Sequence, residues 1–217
     1  MSSKFKIAIV ITLLVLSACT RAKSKLTKED SNSASKERNQ MSNSRESKPF
    51  TEWNGTMNIE FHPIGVVRSL FTEQKSTPIQ PIYAQGARGT VVVYEPYRGA
   101  LKDLNGFSRI WLIYYFDRAE NWKPTVLPYR DTQERSLFAT RAPSRPNAIG
   151  ISAVKLISIK EGEIEVDELD VLDGTPVLDI KPYVPMFDSY PNEKTGWLEK
   201  GVIDQKSADD RFEKKKK

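Results

Sequence analysis

The chain has 217 residues, with 33 Lys and Arg against 28 Asp and Glu, for a formal net charge of +5. Its single cysteine and single histidine exclude a disulfide framework and a thiolate zinc site, and they leave a Ser-His-Asp or Cys-His triad only if His62 serves. Much of the positive charge sits near the two ends, so it speaks weakly about the middle of the chain.

The N-terminus reads as an export signal. Lys4 and Lys6 precede an almost continuous apolar run from Ile7 to Leu16. That run is too short to cross a bilayer, which takes about 20 apolar residues, and it suits a signal h-region. Leu16-Ser17-Ala18-Cys19 follows and resembles the lipobox of bacterial lipoproteins. The expectation is a signal peptide over 1–18, a lipidated Cys19 that holds the protein to the membrane of the cell envelope, and a tether over 19–50. From Thr20 to Pro49 the chain is Ser, Lys, Asn, Glu and Arg with few apolar residues, a composition that cannot bury enough surface to offset its ordering entropy. Thirty such residues span on the order of 30 Å.

A single folded domain is expected over 53–200. Thr56–Arg68 alternates in places and breaks at Pro63 and Gly65. Gly89–Tyr94 is a short β-branched run, and Phe107–Phe116 has the density of a central strand. Ile149–Ile159 and Glu163–Leu169 flank the turn Glu161-Gly162, and Val177–Ile180 ends the series. Many short strands punctuated by Gly and Pro predict a mainly β protein, a barrel of about seven strands. Tyr97–Leu104 is the best helix, with Ala100, Leu101 and Leu104 on one face. Residues 201–217 read as a polar, basic tail. There is no βαβ alternation and no glycine-rich phosphate loop, so a Rossmann site is not expected.

Two stretches carry more charge than connectors need, Phe138–Ser152 and Leu169–Tyr183. Loops on a rigid sheet are where binding residues gather. Arg141 and Arg145 can clamp a carboxylate or phosphate; alternatively they pair with Asp170 and Asp173. Those aspartates can accept a proton or seat a ligand, although Asp173-Gly174-Thr175-Pro176 is also plain turn chemistry. Asp117 and Arg118 stand at the end of an apolar strand. Gln80 lies on a loop stiffened by Pro78 and Pro81. Trp111, Tyr114 and Tyr115 read as core, and His62 as a strand residue.

Ile64-Gly-Val-Val-Arg68-Ser69, Phe107-Ser108, Trp122-Lys-Pro124, Phe138-Ala-Thr-Arg141, Arg145-Pro-Asn147, Ile149-Gly150 and Leu169–Tyr183 occur in order. Together they resemble the TsaA-like (TrmO-type) family over nearly all of Glu60–Phe187. The resemblance implies a TsaA-like β-barrel that binds S-adenosyl-L-methionine and acts as a homodimer. It also implies methyl transfer to N6 of threonylcarbamoyladenosine at position 37 of tRNA. By position, Ile79, Gln80, Pro81, Asp117, Arg118, Arg141, Ile151, Glu168, Leu169 and Asp170 would contact the cofactor. Arg145, Asn147 and Lys181 would meet the RNA, and Asp173 would take the proton of the acylated adenine nitrogen.

Asp117 stands where many members carry His, and Ala148 replaces a common proline. The additional C-terminal domain of some bacterial members is not expected here. Export and tRNA methylation also conflict, because tRNA lies in the cytoplasm. The alternative expectation is an envelope lipoprotein whose pocket binds another small ligand.

Overall fold

The computed structural model describes residues 58–200 and 203–212. Contacts divide the chain into Met1–Ile59 and Glu60–Lys217, and the second unit holds every strand of the described residues. The expected signal, Cys19 and tether lie outside the described residues.

Eight strands form. They are β1 (Gly65–Arg68), β2 (Gly89–Val93), β3 (Arg109–Tyr115), β4 (Thr125–Val126), β5 (Arg135–Ser136), β6 (Ile149–Lys160), β7 (Glu163–Asp167) and β8 (Pro176–Pro182). Six of them close an antiparallel barrel in the order β1-β2-β7-β6-β3-β8, while β4 and β5 pair separately. The mainly β barrel expected from the sequence is therefore present.

Alternation along each strand decides which side chains fill it. In β3, Ile110, Leu112 and Tyr114 are buried while Arg109, Trp111 and Ile113 are less so. Val67, Val91, Val93, Val154, Ile164, Val166 and Val177 complete the interior. β-Branched side chains are stiff and pack well on a pleated surface. The hairpin from β6 to β7 turns at Glu161 (φ +53°) and Gly162 (φ +89°), two left-handed residues as a type I′ turn requires.

The sequence expectations needed three structural corrections. Tyr97–Leu104 is not an α-helix: Glu95–Leu101 and Leu104–Gly106 are 3₁₀ turns. Pro96 starts the first turn, Gly99 weakens it, and eight residues hold few helical bonds. The first strand is confined to Gly65–Arg68 because Pro63 stops the ladder, leaving Phe61 exposed. The described part of the expected tail, 203–212, returns to the domain: Phe212 is buried with Val126, Leu137 and Ala142. Sequence polarity concealed this, since the segment is anchored through its backbone, the Arg211 side chain and one aromatic ring.

Candidate functional site

A cleft of about 1050 Å³ opens at one end of the barrel. Its floor comes from strand ends. Tyr114 and Ser152 point inward from β3 and β6, which pair Tyr114 with Gly150 and Leu112 with Ser152. Gly150 allows this arrangement, because a Cβ there would lie 2.3 Å from Cε2 of Tyr114. The Tyr114 ring meets Phe116 edge-on at 5.2 Å.

Asp170 enters from the loop after β7. Glu168 adopts φ +62°, and fully buried Leu169 plugs the core. Together they turn the chain so that the next carboxylate faces the cleft. Asp170 Oδ1 accepts a hydrogen bond from Ser152 Oγ at 2.6 Å, and Ser152 Oγ lies 3.1 Å from the Tyr114 hydroxyl. Burial pushes the Asp170 carboxyl up to about 7, against the opposing pull of Ser152, its own backbone N–H and Arg141. The same burial, with Asp170 nearby, raises the Tyr114 phenol, which stays neutral.

Two loops form the walls. One carries Ile79, Gln80 and Pro81, and the other carries Phe138 to Arg145. Arg141 joins them by donating from NH1 to Gln80 Oε1 at 2.7 Å. Arg118 donates from NH2 to the Asp173 carbonyl at 2.5 Å and lies 3.4 Å from Asp117. At the rim, Arg109 and Glu168 form a 2.6 Å ion pair. The Phe138 ring, 80% exposed, is backed by the Arg145 guanidinium 5.6 Å from its centroid.

The arginine-bearing and aspartate-bearing stretches thus converge on one concavity. Of the residues expected at the cofactor, Ile79, Gln80, Pro81, Asp117, Arg118, Arg141, Ile151, Glu168 and Asp170 line it, as does Arg145. Four others do not. Leu169 is a core side chain. Asp173 is turned away, accepting from the Ser69 amide at 3.1 Å and lying 3.7 Å from Arg68, with Gly174 at φ +78° completing the turn. Its carboxylate stabilises a loop and is not placed to take a proton in the cleft. Asn147 is exposed. Lys181 is exposed and pairs with Asp179 at 2.7 Å.

Sequence reasoning missed Ser152 and underrated Tyr114. The available signal was a hydroxyl at an inward position of an apolar strand, between Gly150 and Val154, where a polar atom needs a partner.

A family model described as the tRNA-methyltransferase O N-terminal domain matches residues 66–189. A Pyrococcus abyssi protein named as a probable S-adenosyl-L-methionine-binding protein is 47% identical over 156 residues, covering 71% of this chain and 85% of that protein. The tRNA (adenine(37)-N6)-methyltransferase of Escherichia coli is 36% identical over 151 residues, covering 65% of this chain and 64% of that one. The crystal structure of TrmO from Pseudomonas aeruginosa matches with a TM-score of 0.56 at 39% identity, covering 65% of this chain and 63% of that one. The chain therefore spans under two thirds of these two bacterial relatives and most of the archaeal one.

Proposed function

The chain belongs to the tRNA-methyltransferase O family, and on that premise we propose that it methylates N6 of adenosine 37 in tRNA, using S-adenosyl-L-methionine. The observation that carries this reading is Asp170, a carboxylate titrating near neutrality at the floor of a cleft walled by Gln80 and Arg141.

The residues present fit the cofactor. The volume is at the upper end for small-molecule sites, apolar and aromatic side chains dominate the walls, and the Asp170 carboxylate offers a counter-charge for a cation. When bound, S-adenosyl-L-methionine supplies an electrophilic methyl group on a positively charged sulfur. Asp170 does the proton work. On methyl transfer the Asp170 carboxylate would take the N6 proton and become a neutral carboxylic acid, so that the nitrogen is left uncharged. Ser152 holds Oδ1 and leaves Oδ2 to accept, and the neutral Tyr114 hydroxyl orients Ser152 in turn. Gln80 and Arg141 fix the two walls, so that positioning contributes to lowering the barrier. A base works best when its pKa is near the operating pH.

A carboxylate base favours threonylcarbamoyladenosine as the substrate. An acyl group on N6 makes its proton more acidic, within reach of a carboxylate base. Arg145 behind Phe138 forms a cationic, aromatic rim suited to stacking against a base and meeting phosphate.

Labelled cofactor with tRNA prepared with and without the threonylcarbamoyl group tests the reading. Transfer to the modified tRNA is expected. Absence of both transfer and cofactor binding overturns it, and equal transfer to unmodified tRNA overturns the substrate assignment. The resemblance also carries a homodimer, which sedimentation of the purified protein checks.

Leu16-Ser17-Ala18-Cys19 favours a second reading, an envelope lipoprotein whose cleft serves another small ligand. Fractionation decides it. Membrane association lost in Cys19→Ala supports the anchor, and identical distribution of parent and variant removes it.

A further inference from the structure

Neither loop wall of the cleft belongs to the barrel ladder. Among the described residues, the backbone bonds that Ser76–Ile79 make to other segments run to Lys206–Ala208. Ser76 N donates to the Ala208 carbonyl at 2.9 Å, Ala208 N to Thr77 at 2.7 Å, and Ile79 N to Lys206 at 3.0 Å. Pro78 and Ser207 form an isolated antiparallel bridge.

The same segment also grips the other wall. Arg211 NH1 donates to the carbonyls of Leu127 (3.2 Å) and Pro128 (2.9 Å). Its guanidinium lies 5.0 Å from the Tyr129 centroid and pairs with Asp209 at 2.6 Å. The Asp209 carbonyl accepts from Gln74 Nε2 at 3.0 Å and from the Tyr129 hydroxyl at 3.3 Å, so one peptide oxygen ties both loops. Phe212 meets Tyr129 edge-on at 5.3 Å in a small core with Val126, Leu137 and Ala142. At the other end, Ile203 N donates to the Arg130 carbonyl at 3.0 Å. The family match ends at residue 189, before the 203–212 segment.

We propose that Ile203–Phe212 is a strap that clamps the Gln74–Tyr83 loop to the Val126–Ala142 loop, holding the cleft walls at binding distance and thereby setting affinity for the methyl donor. The identity of that ligand rests on the function proposed above. The physical basis is a population. Walls held by a few long-range bonds open as one local unit, independently of the barrel. If the closed form is only a fraction of molecules, apparent affinity falls by that fraction, and saturating ligand restores the closed form. Strap residues are thus positioning residues, and they act on KM more than on kcat.

Arg211 lies outside the wall of the main cleft, so Arg211→Ala in the full chain is the informative variant, with Arg211→Lys as a partial rescue. Hydrogen exchange without ligand is expected to show faster exchange at Ser76 and Ile79, with β3 and β6 unchanged. Titration with S-adenosyl-L-methionine should give a Kd, and the transfer assay a KM, raised about tenfold with kcat within about twofold. Arg211→Lys should fall between parent and Ala. Retained protection at Ser76 and Ile79, or lost protection with an unchanged Kd, overturns the proposal. A fall in kcat at constant KM also overturns it, because it reports a smaller folded fraction. If the parent binds no S-adenosyl-L-methionine, the function proposed above fails, and the exchange pattern still decides whether the strap holds the loops.

Discussion

The barrel and the walls standing on its rim are built differently. Six strands share a continuous ladder around an apolar interior, with Ile110, Leu112, Val154 and Ile164 fully buried. The walls have one two-residue strand pair, a four-residue core and side chains reaching to carbonyls, such as Arg211 to Pro128 and Trp197 to Ala139. Area removed from water holds the first, and separate directional contacts hold the second. Damage to the barrel should therefore appear as lost stability, and damage to the walls as lost affinity. Asp170 stands at the junction, on a loop anchored by core Leu169 and facing the walls.

The largest expected effect is at that junction. Asp170→Asn keeps the acceptor for Ser152 and removes the proposed base, so kcat for the proposed methyl transfer should fall about 10²–10⁴-fold. Single-turnover rates would check this, and a loss confined to KM would place Asp170 with the walls. Next comes Leu112→Ala inside the barrel, expected to lower unfolding free energy by about 2–5 kcal/mol with KM for cofactor unchanged at temperatures where the variant is folded. Denaturant titration measures the first quantity, and a raised KM would blur the division.

The raised Asp170 pKa has a further consequence, in stability against pH. The folded state binds the proton more tightly than the unfolded chain does. That contribution is fully present below the ordinary aspartate value of about 4 and is lost as pH rises through about 7. Asp170→Asn escapes the loss. Its unfolding free energy should exceed the parent's at pH 8 by on the order of a few kcal/mol, with a higher Tm as the readout, and the gap should close near pH 4. Equal gaps at both values would remove the buried-carboxylate account.

A smaller effect concerns the pH profile of kcat, which should rise through about 7 as Asp170 ionises. The charged and titratable groups facing it are Arg141 from the wall and Tyr114 from β3. Ser152 lowers the Asp170 pKa, so Ser152→Ala should move the rising limb to higher pH, and an unmoved limb would detach Ser152 from the base. The smallest effect is at Asp173. Asp173→Asn keeps an acceptor for Ser69, so kcat and KM should both stay within about twofold. A large loss of kcat would return the proton to Asp173.

Asp170 and Asp173 also show where sequence reading stops. Both lie in one charged stretch beside glycine and proline, and both read as candidate proton acceptors. Which one faces the cleft depends on Leu169 filling the core and on Arg118 and Ser69 capturing the turn at Asp173, contacts that span 55 and 104 residues. Local pattern carries no record of partners that distant. The return of Phe212 beneath the wall was illegible for the same reason.

What the sequence determined alone was the barrel and most of its rim. Alternation with β-branched residues dictates strands, Glu161-Gly162 dictates the hairpin, and the order of short motifs identifies the family and the wall residues Gln80 and Arg141. These are local properties, written in period two and in turn chemistry. Only the tertiary structure decided that Ser152 and Tyr114 support Asp170, that burial brings its carboxyl near neutrality, and that a polar C-terminal segment joins the walls. Desolvation and long-range hydrogen bonds depend on what surrounds a group in space, which neighbouring residues in the chain do not specify.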